Sequence, residues 1–200
     1  AMNVLLSGDA GTGKSATVKA LANTYADNGL RLIELTKDQL CFIPQILDRL
    51  CKNPLKFILF IDDLTFSEDD PNFGTLKAIL EGSISARMKN TVIYATSNRR
   101  HIVKETFSDG SDKHENDTVQ GRISLSERFG ITITYSKPQK QLYLEIVHSL
   151  AKQAGLVINE TELDTKAEQF ALCKSGRSAR AARQLIDQLL ILQNTGKESD

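Results

Sequence analysis

The sequence predicts an α/β fold in which helices cover both faces of a parallel β-sheet, followed by a smaller part made only of helices. Up to Tyr135, short apolar runs alternate with longer segments of helical periodicity. This alternation is typical of parallel strands joined by right-handed helical crossovers. After Tyr135 the helical pattern continues without another strand-like run, so we predict a sheet-containing domain over residues 1–136 and a helical domain over residues 137–200.

The predicted strands are short apolar or alternating runs bounded by turn-forming residues. They cover residues 3–7, 30–35, 57–61, 91–96 and 131–135. The third run, from Phe57 to Ile61, is apolar throughout. Such a run is expected of a parallel strand that is buried on both faces.

The predicted helices have apolar residues three and four positions apart. They cover residues 14–27, 38–51, 73–86, 123–129, 139–154, 160–173 and 178–192. Pro44 is expected near the start of the second helix, or at a kink in it, because proline lacks the N–H that a helix interior needs. The polar, glycine- and aspartate-rich stretch 101–120 is predicted to be a loop.

Composition limits the classes of protein to which the chain can belong. Lys plus Arg and Asp plus Glu are both 25, so the formal net charge is zero, and no overall basic field indicates nucleic-acid binding. Three scattered cysteines favour reduced thiols in the cytoplasm. No apolar run reaches the roughly 18 residues of a membrane span. The start at Ala1, directly before the first strand, raises the expectation of a fragment of a longer protein.

A glycine-rich motif between the first predicted strand and helix carries the strongest functional signal. It fits the pattern G-x-x-x-x-G-K-[ST] and consists of Gly8, Asp9, Ala10, Gly11, Thr12, Gly13, Lys14 and Ser15. Glycines let backbone N–H groups curl around an anion at a helix N-terminus. Lys14 is expected to reach the β- and γ-phosphates of a nucleotide, and the Ser15 hydroxyl to bind Mg²⁺.

Two acids end the buried third strand, and an amide ends the fourth. The carboxyl ends of strands in an open α/β sheet are where ligands bind. We expect Asp62 to hold the water shell of Mg²⁺ and Asp63 to act as the general base that activates water. Asn98 is a candidate to orient that water, although a lone Asn after a strand is often only a turn former.

Arginines form two further groups of candidates, because the guanidinium is suited to phosphate recognition. Arg128 lies just before the last predicted strand, where we expect an exposed position at the edge of its domain. Arg177, Arg180 and Arg183 lie around the start of the last helix. Arg180 is the candidate for binding phosphate, whereas a solvated helix face is the favoured interpretation of Arg177 and Arg183.

In their order along the chain, these motifs resemble the AAA+ ATPases. The glycine-rich loop is similar to Walker A and the strand ending at Asp62 to Walker B. Asn98 is at the position of sensor 1, Arg128 at that of the arginine finger, and Arg180 at that of sensor 2. The stretches 62–66, 95–101 and 124–130 resemble more narrowly an uncharacterised bacterial AAA+ group, filed as a domain of unknown function.

The resemblance implies a P-loop core with a five-stranded parallel sheet in the order 5-1-4-3-2 and a small helical lid. It also implies binding of ATP and Mg²⁺, and hydrolysis of ATP that drives the remodelling of an unknown macromolecule. A homo-oligomeric ring would let Arg128 reach the nucleotide of a neighbouring subunit. Family members hold adenine with residues upstream of the first strand, so a fragment that starts there is expected to bind nucleotide poorly.

One departure from the family pattern keeps two alternatives open. Asp63 stands where Walker B normally has glutamate, and the shorter side chain makes hydrolysis less secure than binding. A module that binds nucleotide and switches without hydrolysis is therefore one alternative. A small-molecule kinase is the other, although the helical C-terminal part and the context of Arg128 argue against it. Neither a pore-loop aromatic motif nor a DNA-binding module is evident in the sequence.

Overall fold

The structure is a computed structural model that describes residues 2–66, 70–81, 89–98, 127–174 and 176–197. Its contacts divide the chain into two compact units. The first contains Ala1–Gly8 and Lys14–Thr134, and the second contains Asp9–Gly13 and Tyr135–Asp200. The division into residues 1–136 and 137–200 stays a prediction, because this grouping also separates a loop segment from the chain on either side of it.

The first unit is built on a five-stranded parallel sheet in the order β2-β3-β4-β1-β5. The strands are β1 (Val4–Gly8), β2 (Leu30–Leu35), β3 (Lys56–Ile61), β4 (Thr91–Ser97) and β5 (Ile131–Tyr135). This is the predicted order 5-1-4-3-2 read from the opposite edge, so the predicted sheet is confirmed. The predicted strands differ from the observed ones by at most one residue at either end.

Strand β4 lies between β3 and β1, and its register aligns their carboxyl ends. Ile61 at the end of β3 is opposite Ala95, and Leu6 of β1 is opposite Thr96. Since parallel strands all point the same way, the residues that follow β3, β4 and β1 emerge at one edge of the sheet. The pairing therefore brings together segments that are far apart in the sequence.

Helices pack on both faces of this sheet. They are α1 (Lys14–Thr24), a short 3₁₀ helix (Lys37–Phe42), α2 (Ile43–Leu50) and α3 (Pro71–Leu80). The apolar stretch of β3 is buried on both faces, from Phe57 to Ile61. On one face, Leu59 and Ile61 belong to a core cluster with residues of the 3₁₀ helix, α2 and α3. This two-sided burial is why β3 is continuously apolar rather than alternating.

Four predicted helix boundaries were wrong; one is the end of the last helix, which lies at Lys197 rather than at residue 192. Helix α1 ends at Thr24 rather than residue 27 because the chain turns before Gly29, which has a φ of 82°. The single helix expected over 38–51 is a 3₁₀ helix followed by α2, with Pro44 in the first turn of α2. Helix α3 starts at Pro71 rather than at residue 73 because the Asp70 carboxylate caps it, accepting the N–H of Asn72 at 3.0 Å.

Several predictions fall on residues outside the described ranges. These are the loop at 101–120, most of the helix at 123–129 and the last part of the helix expected to end at residue 86. In the part of the chain that the structure describes, no helix is both long and apolar enough to cross a membrane.

The second unit contains the helices α4 (Lys140–Gln153), α5 (Glu160–Cys173) and α6 (Ala179–Lys197). Each helix contributes small or apolar residues, at mostly four-residue spacing, to one core. The buried members are Tyr143, Val147, Ala151, Leu163, Ala167, Ala171, Ala181, Ala182, Leu185 and Ile186. The alanines allow close approach of the helices, and the Tyr143 hydroxyl donates to the Ala167 carbonyl at 3.2 Å.

An ion pair ties the segment before α6 to α5. The Arg177 guanidinium donates to both carboxylate oxygens of Glu168, with Nε–Oε1 at 2.9 Å and a second contact at 2.7 Å. This bidentate hydrogen bond, against some opposition from burial, lowers the pKa of Glu168 below its ordinary value. Arg177 therefore precedes α6 rather than lying on its face, and its 39 % exposed side chain is paired with Glu168. Arg183 is exposed on α6.

We predict that Arg177→Ala lowers the melting temperature by a few degrees at neutral pH. Arg180→Ala is the matched control, because Arg180 is exposed and has no ion-pair partner among the described residues. Since the pKa of Glu168 is lowered in the folded state, its contribution is present above the ordinary pKa of Glu and is lost as pH falls through the lowered value. Thermal unfolding of the wild type and both variants at several pH values checks this. Equal melting temperatures of Arg177→Ala and Arg180→Ala at neutral pH would contradict it.

Candidate functional site

The first unit gathers polar side chains at the carboxyl edge of the sheet, where β1, β3 and β4 end. Lys14 and Ser15 begin helix α1 just beyond the loop that follows β1, Asp62 and Asp63 follow β3, and Asn98 follows β4. The structure thus brings together five of the residues that were singled out from sequence. Hydrogen-bond distances between these side chains, and to the backbone around them, define the site.

Lys14, the first residue of α1, is tied back to the end of β1. Lys14 is buried, and its ammonium donates to the carbonyl of Gly8 at 2.9 Å. A lysine is rarely buried without a partner, and this bond keeps its charge within the loop. The Gly13 backbone has a φ of 102°, which strongly favours glycine.

The Asp62 carboxylate links the start of α1 to the end of β3. Its Oδ1 accepts the Ser15 hydroxyl at 2.7 Å. A hydroxyl and a carboxylate at this separation offer the hard oxygen ligands that Mg²⁺ prefers. In the described ranges no three His, Cys, Asp or Glu side chains cluster as a metal-binding group. These two residues could supply two of the oxygen ligands of such an ion, which usually keeps several waters and is bound by only one or two carboxylates.

The backbone of Asp63 has an unusual conformation. Its φ is 53°, and no other described residue except glycine has a positive φ. Aspartate tolerates this left-handed region better than most residues, but the conformation still costs about 1–2 kcal/mol. The Asp63 Oδ1 accepts the side-chain amide of Asn98 at 2.7 Å. The strained turn therefore aims the second acid toward the residue after β4.

Thr96 is a residue of this site that the sequence analysis missed. Its side chain is buried, and its hydroxyl lies 2.5 Å from Oδ1 of Asp62 and 2.9 Å from the backbone N of Asp63. Its carbonyl accepts the N–H of Leu64 at 2.7 Å. Sequence carried no signal for this, because Thr is a common strand residue and its partners depend on the register of β4 against β3.

Within the second unit, the loop segment Asp9–Gly13 is held at two points. The N–H of Asp9 donates to the carbonyl of Tyr135 at 3.1 Å, and its carboxylate accepts the N–H of Lys137 at 3.2 Å. At the other point, the carbonyl of Gly11 accepts the N–H of Arg180 at 3.2 Å. The segment Asp9–Gly13 is thus connected to the first turn of α6.

Gly11 also sets the distance between the loop and α6. A Cβ atom at Gly11 would lie 3.1 Å from the Cβ of Arg180 and 3.2 Å from the hydroxyl oxygen of Ser178. Its φ of 76° further disfavours any other residue. The Ser178 hydroxyl accepts the N–H of Ala181 at 3.1 Å and so caps α6. Of the arginines around this helix start, the structure places Arg180 beside the loop and pairs Arg177 with Glu168.

Arg128 differs from its expected setting. We expected an exposed position at the edge of the domain, but the Arg128 side chain is only 23 % exposed and forms an ion pair with Glu81, just after α3. The expectation of an exposed arginine was wrong, because the fold brings a carboxylate that is 47 positions away in the sequence to the segment before β5. Glu68, which would be the next candidate for the general base if Asp63 did not act as one, lies outside the described residues.

The comparisons with known proteins agree with this architecture. The profile of a family described as "Protein of unknown function (DUF815)" matches residues 1–192. No curated protein matches the sequence. A Thermotoga maritima RuvB Holliday junction branch migration motor is similar in structure, with a TM-score of 0.63, 16% identity and coverage of 96% of this chain and 56% of that chain.

Two structures of the replication initiator DnaA are similar to the same degree. DnaA bound to AMPPCP and single-stranded DNA has a TM-score of 0.63 and 16% identity, over 98% of this chain and 59% of that chain. Domain III of Thermotoga maritima DnaA has a TM-score of 0.63 and 18% identity, over 98% of this chain and 78% of that chain.

The chain spans little more than half the length of the RuvB structure and of the DNA-bound DnaA structure. At these identities the likeness shows the fold, which is that of the AAA+ P-loop proteins. The family profile covers nearly the whole chain, and the resemblance to an uncharacterised AAA+ group is confirmed. The chain therefore belongs to DUF815, a family of unknown function.

Proposed function

We propose that this chain binds ATP with Mg²⁺ at the carboxyl edge of its sheet and hydrolyses the ATP to ADP and phosphate. The observation that carries the proposal is the 2.7 Å hydrogen bond between Ser15 and Asp62. It joins the residue after the Lys of the glycine-rich loop to the acid that ends β3, the two protein groups that hold Mg²⁺ in P-loop NTPases.

In this proposal the loop and Lys14 hold the phosphates. The N–H groups at the start of α1 and the Lys14 ammonium supply positive charge where an anion would lie. Ser15 and Asp62 would hold the metal, which would supply positive charge against the negative charge of the phosphates. The Lys14 ammonium exchanges its bond to the Gly8 carbonyl for phosphate oxygens when ATP binds.

Asp63 and Asn98 are the proposed catalytic residues. Asp63 accepts the proton of the attacking water, and Asn98, bonded to it at 2.7 Å, fixes the direction of the carboxylate. Orienting a base within hydrogen-bonding reach of water is worth more than a small change in its basicity. The strained φ of Asp63 sets where this shorter side chain points.

Arg180 is the proposed contact of the helical part with the phosphates. Its backbone N–H donates to Gly11, and its side chain is exposed without an ion-pair partner among the described residues. Arg177 already binds both oxygens of Glu168. Of these two arginines, Arg180 is therefore the one whose guanidinium has no carboxylate partner among the described residues.

A nucleotide switch without hydrolysis is the second candidate, and one observation favours it. Oδ1 of Asp63 is engaged by the Asn98 amide, which lowers its capacity to accept a proton from water. In that case ATP binding alone would change the conformation of the loop and of α6. A small-molecule kinase remains the third and least favoured reading, and transfer of phosphate to a small acceptor would revive it.

The assembly and the substrate are proposed by analogy with the AAA+ ATPases. We propose a homo-oligomer, a ring or partial ring, in which Arg128 acts on a neighbour's nucleotide after leaving Glu81, and which remodels an unknown macromolecule. The neutral net charge gives no indication of nucleic acid, whereas two of the similar structures are a Holliday junction branch migration motor and DnaA bound to single-stranded DNA. The exposed free cysteines support a cytoplasmic location.

Binding and turnover can be separated with two variants. Lys14→Ala should abolish ATP binding, because the buried ammonium is the charge nearest the proposed phosphate site, while Asp63→Asn should keep binding and slow turnover by about 10²–10⁴. Calorimetry and phosphate release under saturating ATP measure the two effects. ATP binding by Lys14→Ala at wild-type affinity would reject the site, and wild-type turnover by Asp63→Asn would reject Asp63 as the base.

The role of Arg128 is tested by mixing two variants. Arg128→Ala should keep ATP affinity, since it removes only an ion pair with the 45 % exposed Glu81, and such a pair is of small energetic value. It should nevertheless lower turnover by about 10³–10⁵ if Arg128 acts as an arginine finger. Arg128→Ala and Lys14→Ala chains should each be inactive alone. A mixture of the two should recover part of the activity, because the Arg128→Ala chain supplies an intact nucleotide pocket and the Lys14→Ala chain supplies an intact arginine finger. A mixture that co-assembles but stays inactive would refute action between subunits.

A further inference from the structure

A single hydroxyl group connects the two acids of the proposed site. Thr96 lies on β4, the strand between β3 and β1, and is 2 % exposed. Its Oγ1 is 2.5 Å from Oδ1 of Asp62 and accepts the backbone N–H of Asp63 at 2.9 Å.

The direction of these two hydrogen bonds is fixed by chemistry. A threonine hydroxyl has one proton to donate. A backbone N–H can only donate, so the hydroxyl must accept from Asp63, and its own proton is then donated to the Asp62 carboxylate. Each bond polarises the next in such a chain. The result is an ordered relay from the Asp63 backbone through Thr96 to Asp62.

The same residue supports the strained turn between the acids. The Thr96 carbonyl accepts the N–H of Leu64 at 2.7 Å, so Thr96 holds the N–H groups on both sides of the Asp63 carbonyl. A non-glycine residue at a φ of 53° persists only where its surroundings determine it. Two hydrogen bonds from one rigid, buried strand residue provide that constraint.

We infer that Thr96 is a positioning residue for the proposed ATPase reaction, whose hydroxyl directs Asp62 toward the metal and Asp63 toward water. This inference rests on the proposed function. Oδ1 of Asp62 is shared between the hydroxyls of Ser15 and Thr96, which fixes the carboxylate and directs its other oxygen away from both donors. The division of roles between two adjacent acids thus depends on a residue 33 positions beyond Asp63.

Thr96→Val tests the hydroxyl, because valine keeps the shape of threonine and removes both bonds. Loss of a residue that orients a metal ligand typically weakens metal binding about 10- to 100-fold. We expect the gain in ATP affinity on adding Mg²⁺ to fall by about that factor, and kcat to fall as well, while ATP affinity in EDTA stays within about twofold. Thr96→Ser, which keeps the hydroxyl, should restore both.

Thr91→Val is the matched control. Thr91 lies at the other end of the same strand and is equally buried, at 2 % exposure. It should behave as wild type in the Mg²⁺-dependent affinity and in kcat. If Thr91→Val loses as much as Thr96→Val, or if Thr96→Ser is as impaired as Thr96→Val, then packing of the strand and not the hydroxyl explains the effect, and the inference is overturned. Full activity in Thr96→Val overturns it too.

A measurement without nucleotide separates this inference from the proposed function. Hydrogen exchange of the Asp63 amide, followed by NMR, should be faster in Thr96→Val than in wild type and in Thr96→Ser, and unchanged in Thr91→Val. An unchanged Asp63 amide in Thr96→Val overturns the inference even if ATP is bound. If the wild type binds no ATP, the proposed function fails, while the exchange result still decides whether Thr96 holds the turn. Should Thr96→Val not fold, Thr96→Ala replaces it in each comparison with Thr96→Ser.

Discussion

The hydrogen bonds that Asp62 accepts from Ser15 and Thr96 hold the site together, because they join three segments that the chain itself keeps far apart. They are possible only because β4 lies between β3 and β1 in a parallel sheet, with Thr96 opposite Leu6 and one residue past the partner of Ile61. In this fold the sheet order is therefore a chemical constraint: a different order would separate the loop, the acids and the threonine.

The stability of the sheet also allows the site to contain strain. Strand β3 is buried on both faces and paired on both edges, so its end is a rigid platform. The turn at Asp63 adopts a conformation that is costly for an aspartate, and Thr96 and Asn98 hold it there. Strain of this kind is usual where a side chain must point in a direction that relaxed backbone would not give. In our account, the backbone conformation of Asp63 compensates for its side chain, which is shorter than that of the usual Glu.

Sequence was sufficient wherever local pattern determines structure. The apolar run at Phe57 predicted β3, and the glycine-rich motif predicted the loop, because each is a contiguous signal. Prediction from sequence failed where a side chain bonds to a residue that is distant in the sequence. The Arg128–Glu81 pair and the bonds of Thr96 depend on which segments the fold brings together. The grouping of Asp9–Gly13 with the helical unit likewise depends on contacts with Tyr135, Lys137 and Arg180 that no local pattern encodes.

The central claim is that Asp62 and Ser15 together form the metal side of an ATP site. Calorimetric titration of ATP into the wild type and into Asp62→Ala, each with Mg²⁺ and with EDTA, tests it most directly. Our account predicts that Mg²⁺ strengthens ATP binding to the wild type, that Asp62→Ala removes this gain, and that the two proteins bind ATP equally in EDTA. The same gain from Mg²⁺ in both proteins, or no binding of ATP by the wild type in either condition, would contradict it.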